Sequence, residues 1–453
     1  MQLFNRYVSP GHLAVFTGEA ALIFGSMILA AQLLHPREDP LTAAWKIAIA
    51  TALCLLCLYY NDCYDFTVVR SNRELVIRLL QAIGIASILL AIVYLAAPSL
   101  AVAHGAFPAA MALFVTGILL LRVVFNRIND LPPLGERLLF VGAGPTARLV
   151  ARAVAEQRDF PSQIVGFVDD APAAEGTPGL VGAPDELEQL VRELAVDRVI
   201  VGLPDRRGRL PVAPLLRVKL GGTRVEEAGA LYERLTGKLL LEDLRPSALI
   251  FSDGFRVSRL TRLTKRLFDL ALAGVGLLLA WPLMALVAAA IRLESGAPVL
   301  YRQERVGLHG RRFVLLKFRS MRQDAEQGVP LWARDDDARV TRVGRILRQT
   351  RLDELPQLWN VLRGDMSFVG PRPERPFFVE QLAALLPFYE QRHAVRPGIT
   401  GWAQVKYRYG ASLEDAREKL RYDLYYIKHL SIAFDATILV DTVKVVLFGK
   451  GAR

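Results

Sequence analysis

Four long apolar stretches fill the first 130 residues of the chain. They run over about His12–Leu34, Ala43–Tyr60, Leu75–Ala97 and Ala101–Val124. Each is close to the roughly 20 residues that a helix needs to cross the hydrocarbon of a bilayer. The pattern therefore predicts four transmembrane helices in residues 1–130, with Glu19 inside the first of them.

The basic residues that flank these stretches predict their orientation. Arg6, Arg70, Arg73, Arg78, Arg122 and Arg127 fall on one side, whereas the other side offers only Arg37 beside two acids. Because short cytoplasmic flanks carry the excess of Lys and Arg, both ends of the bundle are predicted to be cytoplasmic.

A different pattern begins after the Pro132–Pro133 pair. Short apolar runs at Arg137–Val141, Ile164–Val168 and Arg198–Gly202 alternate with helical patterns at 148–157 and 184–194, which predicts a Rossmann-like α/β domain over residues 131–250. The turn at Gly142–Ala147 reads GxGxxA, and Asp169 and Asp170 follow somewhat late for a ribose-binding acid. The sequence leaves nucleotide binding and a structural or regulatory role equally open.

A fifth apolar run, Leu270–Ile291, lies between basic flanks and has Trp281–Pro282 at its centre. A crossing helix would place the α/β domain and the C-terminal domain on opposite sides of the membrane, and basic flanks disfavour translocation of either. Proline removes a backbone hydrogen bond and bends a helix. We therefore predict a re-entrant helical hairpin at about 265–293, within a catalytic domain that spans 251–453.

Composition agrees with a membrane protein, since 52% of residues are hydrophobic, the mean hydropathy is +0.28 and only 22% are charged. Disordered and highly charged soluble classes are thereby excluded. The net charge of +11 arises entirely after residue 254, which suggests an anionic partner such as nucleic acid, anionic lipid or a phosphorylated substrate. Cys54, Cys57 and Cys63 offer no disulfide framework and indicate a reducing compartment for the soluble parts.

The basic excess leads into two adjacent acids, Asp353 and Glu354. The segment from Tyr301 carries Arg302, Arg305, Arg311, Arg312, Lys317, Arg319, Arg322, Arg339, Arg342, Arg345, Arg348 and Arg351. Helical spacing predicts one helix between Val340 and Leu352, and Pro356 begins another. An Asp at that helix start, beside arginines, is expected to stay ionised and able to attack phosphorus or bind Mg²⁺, although an ordinary N-cap explains the same residues.

Two longer segments carry a family resemblance. Residues 352–373, LDELPQLWNVLRGDMSFVGPRP, and 395–405, VRPGITGWAQV, closely resemble the bacterial sugar transferases, which are polyprenyl-phosphate hexose-1-phosphate transferases of the monotopic type. The resemblance covers about Thr264–Phe448. Four preceding spans and an α/β domain resemble the large members, which initiate exopolysaccharide synthesis. One departure is Trp281–Pro282, where the family commonly has Ser-Pro.

The resemblance implies a two-step reaction and a set of residues for it. Asp353 would attack the sugar-linked phosphorus of UDP-glucose or UDP-galactose, release UMP and pass the phosphosugar to undecaprenyl phosphate. Glu354 would assist positioning and proton traffic, and Mg²⁺ would bind at Asp353. The matched substrate-binding positions are Lys317, Arg319, Arg348, Arg372, Arg396 and Gln404. The implied fold is membrane α plus α/β.

The implied partners are the UDP-sugar, undecaprenyl phosphate and the bilayer, with no nucleic acid, and a homodimer is left open. The implied location is the bacterial inner membrane, with the catalytic domain on the cytoplasmic side. A membrane-anchored dehydratase or epimerase is a rival, but it needs Tyr-x-x-x-Lys, which is absent from the sequence. A lipid-binding scaffold is another, and it would have no use for Asp353.

Overall fold

A computed structural model describes residues 2–3, 6–7, 10–34, 40–61, 63, 72–100, 106–129, 135–157, 162–170, 179–203, 210–244, 246–251, 254–322, 339–407, 410 and 412–448. The described chain is mostly helical and includes a parallel sheet, which confirms the predicted combination of α and α/β structure. Its contacts divide it into two compact units, one of residues 1–3 and 7–231 and one of residues 4–6 and 232–453. The predicted division into three domains stays a prediction.

The predicted apolar stretches form four helices. After two-residue strands β1 (Gln2–Leu3) and β2 (Arg6–Tyr7), these are α1 (Pro10–Leu34), α2 (Pro40–Tyr60), α3 (Asn72–Ala96) and α4 (Ala106–Asn129). One residue from each, Ile23, Ile47, Leu79 and Phe114, lies in a shared core, and Glu19 and all three cysteines are buried, with no disulfide among them.

The outer surface of these helices is also apolar, since leucines such as Leu33 and Leu120 are more than half exposed. Such an exterior is typical of a protein that faces lipid. Phe16–Leu33 and Val76–Ala96 are long and apolar enough to cross a membrane, whereas the described apolar parts of α2 and α4 are shorter. Membrane association is thus supported, and four crossings stay a prediction.

The α/β part contains one five-stranded parallel sheet. Its strands are β3 (Glu136–Val141), β4 (Ser162–Val168), β5 (Leu180–Gly182), β6 (Arg198–Val201) and β7 (Arg224–Glu227), in the order β5-β4-β3-β6-β7. The helices are α5 (Pro145–Glu156), α6 (Leu187–Glu193), α7 (Val212–Leu220) and α8 (Ala228–Thr236). The predicted strands and helices form within a few residues of their expected bounds, and β5, β7, α7 and α8 were not predicted.

Hydrogen bonds from nearby residues stabilise the glycine turn after β3. Gly142 has a φ of +100°, a conformation that glycine adopts without strain. The Ala143 amide donates to Asp169 Oδ2 at 2.7 Å, and Arg148 Nε donates to the Ala143 carbonyl at 2.8 Å. Asp169 therefore has a structural role in this turn, and nucleotide binding there stays untested.

The second unit holds the remaining elements. They are α9 (Pro246–Phe251), α10 (Arg259–Ser295), β8 (Leu300–Val306), β9 (Arg312–Phe318), α11 (Arg342–Thr350), α12 (Gln357–Arg363), β10 (Ser367–Val369), α13 (Pro376–Leu385), β11 (Gly398–Thr400), α14 (Trp402–Lys406), α15 (Leu413–Lys428) and α16 (Ile432–Phe448). Strands β8 and β9 form an antiparallel hairpin, and β10 pairs in parallel with β11. Trp402 packs on Tyr425 and Phe434 in the main core, so these aromatic residues serve core packing rather than a membrane surface.

Helix α10 is one helix of 37 residues with Pro282 inside it, and the predicted re-entrant helical hairpin stays a prediction. Ala273 shares an apolar cluster with Leu315, and Ser295 binds the Arg319 side chain. Leu315 and Arg319 are about 13 Å apart along an extended strand, whereas Ala273 and Ser295 would be about 33 Å apart along a straight helix. An arginine side chain spans only part of that difference, so we infer that α10 bends between its two arms, and Pro282 lies inside that interval.

The residues around this bend are apolar and exposed. The side chains of Leu278, Leu279, Trp281 and Leu286 are each more than 60% exposed. By length and hydropathy, α10 could also cross a membrane. Both arms, in contrast, are fixed to the unit. On the first arm, Lys265 Nζ donates to Asp435 Oδ2 at 2.6 Å and to the Val369 carbonyl at 3.0 Å.

Replacement of Lys265 by Met is expected to lower the free energy of unfolding by about 3–5 kcal/mol, because Asp435 would remain buried without its cation. Thermal melting of the purified full-length protein checks this loss. Adding Asp435→Asn should recover most of it, and Arg417→Gln, at a partly exposed surface pair, should change little. A single variant as stable as the wild type would contradict the assigned ion pair.

Candidate functional site

The two adjacent acids sit in a tight turn between α11 and α12. Thr341 caps the start of α11 by accepting from the Gly344 amide at 2.9 Å. At Gly344 a Cβ would lie 2.0 Å from the Ser320 carbonyl oxygen, so only glycine allows α11 to pack this closely. Arg351 then ends the helix in the left-handed conformation, and Leu352–Glu354 form a single 3₁₀ turn.

Glu354 is clamped by two cations. Lys317 Nζ lies 2.9 Å and Arg372 Nη2 3.0 Å from the same carboxylate oxygen, Oε1. Burial by itself would raise the pKa of Glu354, but Lys317, Arg372 and Arg351 together hold that pKa well below its usual range. Glu354 is therefore ionised and fixes two basic side chains at the site.

Asp353 has a different environment. It is 8% exposed, and within the described chain no hydrogen bond or ion pair engages its carboxylate. Burial raises the pKa of Asp353 and Glu354 adds to the rise, while Lys317, Arg372 and Arg348 oppose it. The expectation of an N-cap Asp stabilised by amide hydrogen bonds is thus wrong, because Pro356 is the N-cap of α12.

Five of the eight sequence-predicted site residues come together here. Lys317, at the end of β9, Arg348, on α11, and Arg372, in the turn after β10, all act electrostatically on Asp353 and lie around the Asp353–Glu354 pair. The arrangement places the buried carboxylate of Asp353, which has no hydrogen-bond or ion-pair partner in the described chain, beside several cations. Such a site can neutralise phosphate while a carboxylate attacks it.

The other three predicted residues bind the backbone elsewhere in the unit. Arg319 Nη2 lies 2.9 and 2.8 Å from the carbonyls of Ser295 and Gly296, at the C-terminus of α10. Arg396 Nε donates to the Gly364 carbonyl at 2.9 Å, just past α12, and Gln404 Nε2 donates to the Ile399 carbonyl at 3.1 Å. These contacts hold secondary structure, and the substrate-binding roles stay predictions.

In the turn that contains Arg372, every backbone carbonyl from residue 371 to residue 374 accepts a hydrogen bond. The carbonyl oxygens accept from the Gly398 amide, Arg392 Nη2, Arg305 Nη1 and the Val306 amide, in chain order. Sequence reasoning missed Arg392, because its contact with Arg372 joins residues 20 positions apart without any local pattern. Arg305 was part of the predicted basic run, but its target was not predicted.

Comparison with known proteins matches residues 260–449 to the family described as bacterial sugar transferase. A protein of Xanthomonas campestris pv. campestris, named UDP-glucose:undecaprenyl-phosphate glucose-1-phosphate transferase, is 31% identical over 100% of this chain and 96% of its own length. The chain belongs to the bacterial sugar transferase family. It is therefore an enzyme of the transferase class.

Two further relatives of this sugar transferase carry different sugars in their names. An Aeromonas hydrophila protein, named UDP-N-acetylgalactosamine-undecaprenyl-phosphate N-acetylgalactosaminephosphotransferase, is 44% identical over 53% of this chain, which spans 56% of that relative. An Escherichia coli K12 protein, named UDP-glucose:undecaprenyl-phosphate glucose-1-phosphate transferase, is 44% identical over 41% of each chain. The five clustered residues lie within the family match.

The contrasting contacts of Lys317 and Arg319 predict contrasting variants. Arg319→Met should lower the free energy of unfolding by about 3 kcal/mol, because the end of α10 loses its charged donor. Lys317→Met should lower turnover at least tenfold with a smaller loss of stability, because Glu354 loses one of its two cations. Melting temperature and turnover, measured on both variants, check the assignment, and the reverse pattern would contradict it.

Proposed function

We propose that this sugar transferase moves a hexose-1-phosphate from a UDP-sugar to undecaprenyl phosphate and releases UMP, as a first membrane step of exopolysaccharide synthesis. The observation that carries the proposal is the buried, uncommitted Asp353 carboxylate among Lys317, Arg348 and Arg372. The relative that aligns with the entire chain is named for this transfer with glucose. UDP-glucose is therefore the first donor to test, followed by UDP-galactose.

In the first step, a carboxylate oxygen of Asp353 forms a bond to the sugar-linked phosphorus of the donor. The bond between that phosphorus and the bridging oxygen breaks, and UMP leaves with the electron pair. In the second step, a phosphate oxygen of undecaprenyl phosphate attacks the same phosphorus and frees Asp353. The covalent aspartyl-phosphosugar thus divides one displacement into two.

The surrounding groups favour the first step in two ways. Lys317, Arg372 and Arg348 favour the ionised form of Asp353, which is the form that attacks. Their positive charges also face the negative charge that a diphosphate brings, and phosphoryl transfer depends mainly on such neutralisation and on positioning. Glu354, held by Lys317 and Arg372, keeps these cations in place before the donor arrives.

Magnesium fits the donor set as a bridging ion rather than as a fully protein-bound one. Among the described residues no group of three or more His, Cys, Asp or Glu side chains forms a metal cluster. Mg²⁺ commonly takes one or two carboxylates together with substrate phosphates, and Asp353 is the carboxylate of this pair that has no cation bonded to it. Bound there, the ion would supply charge neutralisation at the diphosphate.

Helix α10 supports the membrane part of the proposal. Its exposed apolar bend would enter one leaflet of the inner membrane and return, while both arms stay with the catalytic unit on the cytoplasmic side. The donor is a soluble nucleotide and the acceptor is a lipid. Such a placement gives the site access to both.

Full-length protein with UDP-glucose or UDP-galactose, Mg²⁺ and undecaprenyl phosphate should release UMP. Asp353→Asn should lower turnover by about a thousandfold or more, because the amide cannot attack phosphorus. Asp365→Asn, in the same unit and partly exposed, is the matched control and should stay near the wild-type rate. Substantial turnover by Asp353→Asn would refute the nucleophile, and failure of both donors would refute only the sugars named.

The placement of α10 predicts the labelling of single cysteines introduced after Cys54, Cys57 and Cys63 are replaced by alanine. Arg259→Cys and Leu293→Cys lie on opposite arms and are exposed, whereas Leu279→Cys lies at the bend. A membrane-impermeant maleimide should label the first two from the cytoplasmic face alone and Leu279→Cys from neither face. Labelling of the two arms from opposite faces would show a crossing helix instead.

A further inference from the structure

Side chains from other parts of the unit fix the backbone around Arg372. Arg372 lies between Pro371 and Pro373, and prolines restrict the turn on both sides. Two buried or half-buried arginines, Arg392 and Arg305, donate to the carbonyls of Arg372 and Pro373 at 2.9 Å each. The direction of the Arg372 side chain therefore depends on contacts behind the turn.

Arg392 is the central member of those contacts. It is 6% exposed, and its guanidinium donates to the Arg372 carbonyl at 2.9 Å, to Asp423 Oδ2 at 2.9 Å and to Tyr389 Oη at 2.6 Å. The guanidinium also lies over the Tyr389 ring, 5.0 Å from its centroid. A planar group with several partners in fixed directions has little freedom to rotate.

Burial of this ion pair is expensive for the fold. Asp423 is 3% exposed, and burial raises its pKa to about 6 even though Arg392 acts in the opposite direction. Replacing a buried ion pair by apolar side chains often leaves stability unchanged or improves it. Stability alone therefore explains the Arg392–Asp423 pair poorly. Arg392 also donates to the Arg372 carbonyl, and this bond connects the pair to the site.

From that carbonyl the path to the reacting group is short. Arg372 Nη2 lies 3.0 Å from Glu354 Oε1, and Glu354 is adjacent to Asp353 in the same 3₁₀ turn. A displacement of the turn would move the Arg372 guanidinium away from Glu354 and from the phosphate that it would meet. Displacements of about 1 Å can lower an enzymatic rate on the order of a hundredfold.

We propose that Arg392 is a positioning residue, which fixes the Pro371–Arg372–Pro373 turn from behind so that the Arg372 guanidinium faces the Asp353–Glu354 pair. Asp423 and Tyr389 hold Arg392 in the required orientation. The inference rests on the proposed function, because it assigns Arg372 a part in phosphosugar transfer. It adds a residue that touches neither substrate nor Asp353.

A double-mutant cycle separates positioning from a general structural role. Arg392→Lys keeps the charge beside Asp423 but removes the planar guanidinium, whose Nη2 donates to Asp423 and the Arg372 carbonyl while its Nη1 donates to Tyr389. Arg372→Gln removes the guanidinium that the turn presents. The two variants, their combination and the wild type are compared as full-length protein by UMP release, with kcat and KM determined for the UDP-sugar.

Arg392→Lys is expected to lower kcat about tenfold and Arg372→Gln about a hundredfold. The double variant should be no more than about twofold slower than Arg372→Gln, because Arg392 acts through Arg372. Arg421→Lys is the matched control, because Arg421 is a buried arginine on α15 whose guanidinium pairs with Glu418 and Glu242 instead of with the turn. It should retain kcat within about twofold.

Equal losses from Arg392→Lys in the wild-type and Arg372→Gln backgrounds would overturn the proposal, as would an equal loss in Arg421→Lys. If Arg392→Lys fails to fold, Tyr389→Phe tests the same chain, since it removes only one partner of Arg392 and should give a smaller loss that also vanishes with Arg372→Gln. Activity of the wild type tests the proposed function alone. An active wild type with an additive cycle would refute positioning and leave that function intact.

Discussion

The contact of Lys317 and Arg372 with one oxygen of Glu354 is the interaction on which the site depends. It joins the end of β9, the turn after β10 and the 3₁₀ turn between α11 and α12, which are distant in sequence. Because Glu354 takes these two cations, the neighbouring Asp353 stays without a bonded partner. One carboxylate organises the charge, and the other remains available for chemistry.

The same elements connect this pair to the apolar helix α10. Lys265, on its first arm, binds Asp435 and the Val369 carbonyl at the end of β10, two residues before the turn that carries Arg372. Arg319, two residues after Lys317, donates to the Ser295 and Gly296 carbonyls at the C-terminus of α10. The two ends of α10 are therefore held by the same elements that carry the Asp353–Glu354 pair, and its exposed apolar middle would serve the lipid acceptor of the proposed transfer.

Local patterns predicted much of this structure. Apolar spacing located α11, β3, β4 and β6, and Pro356 marked the start of α12, because short-range patterns determine such elements. The basic run pointed to Asp353 and Glu354, and the family resemblance gave them their roles. The raised pKa of Asp353 could not be predicted, because burial is a property of the packed chain. The ion pair between Lys265 and Asp435, which are 170 positions apart, could not be predicted either. The same holds for the bonds from Arg319 to the C-terminal carbonyls of α10, since no local signal specifies a distant carbonyl or carboxylate.

The proposed reaction depends on a covalent bond between Asp353 and the phosphosugar. Mass spectrometry of the full-length enzyme, incubated with the UDP-sugar and Mg²⁺ but without undecaprenyl phosphate, tests it most directly. We expect a mass increase of one hexose phosphate, localised by peptide mapping to Asp353 and lost when undecaprenyl phosphate is added. An unmodified Asp353, under conditions where the complete mixture forms product, would contradict the proposed reaction.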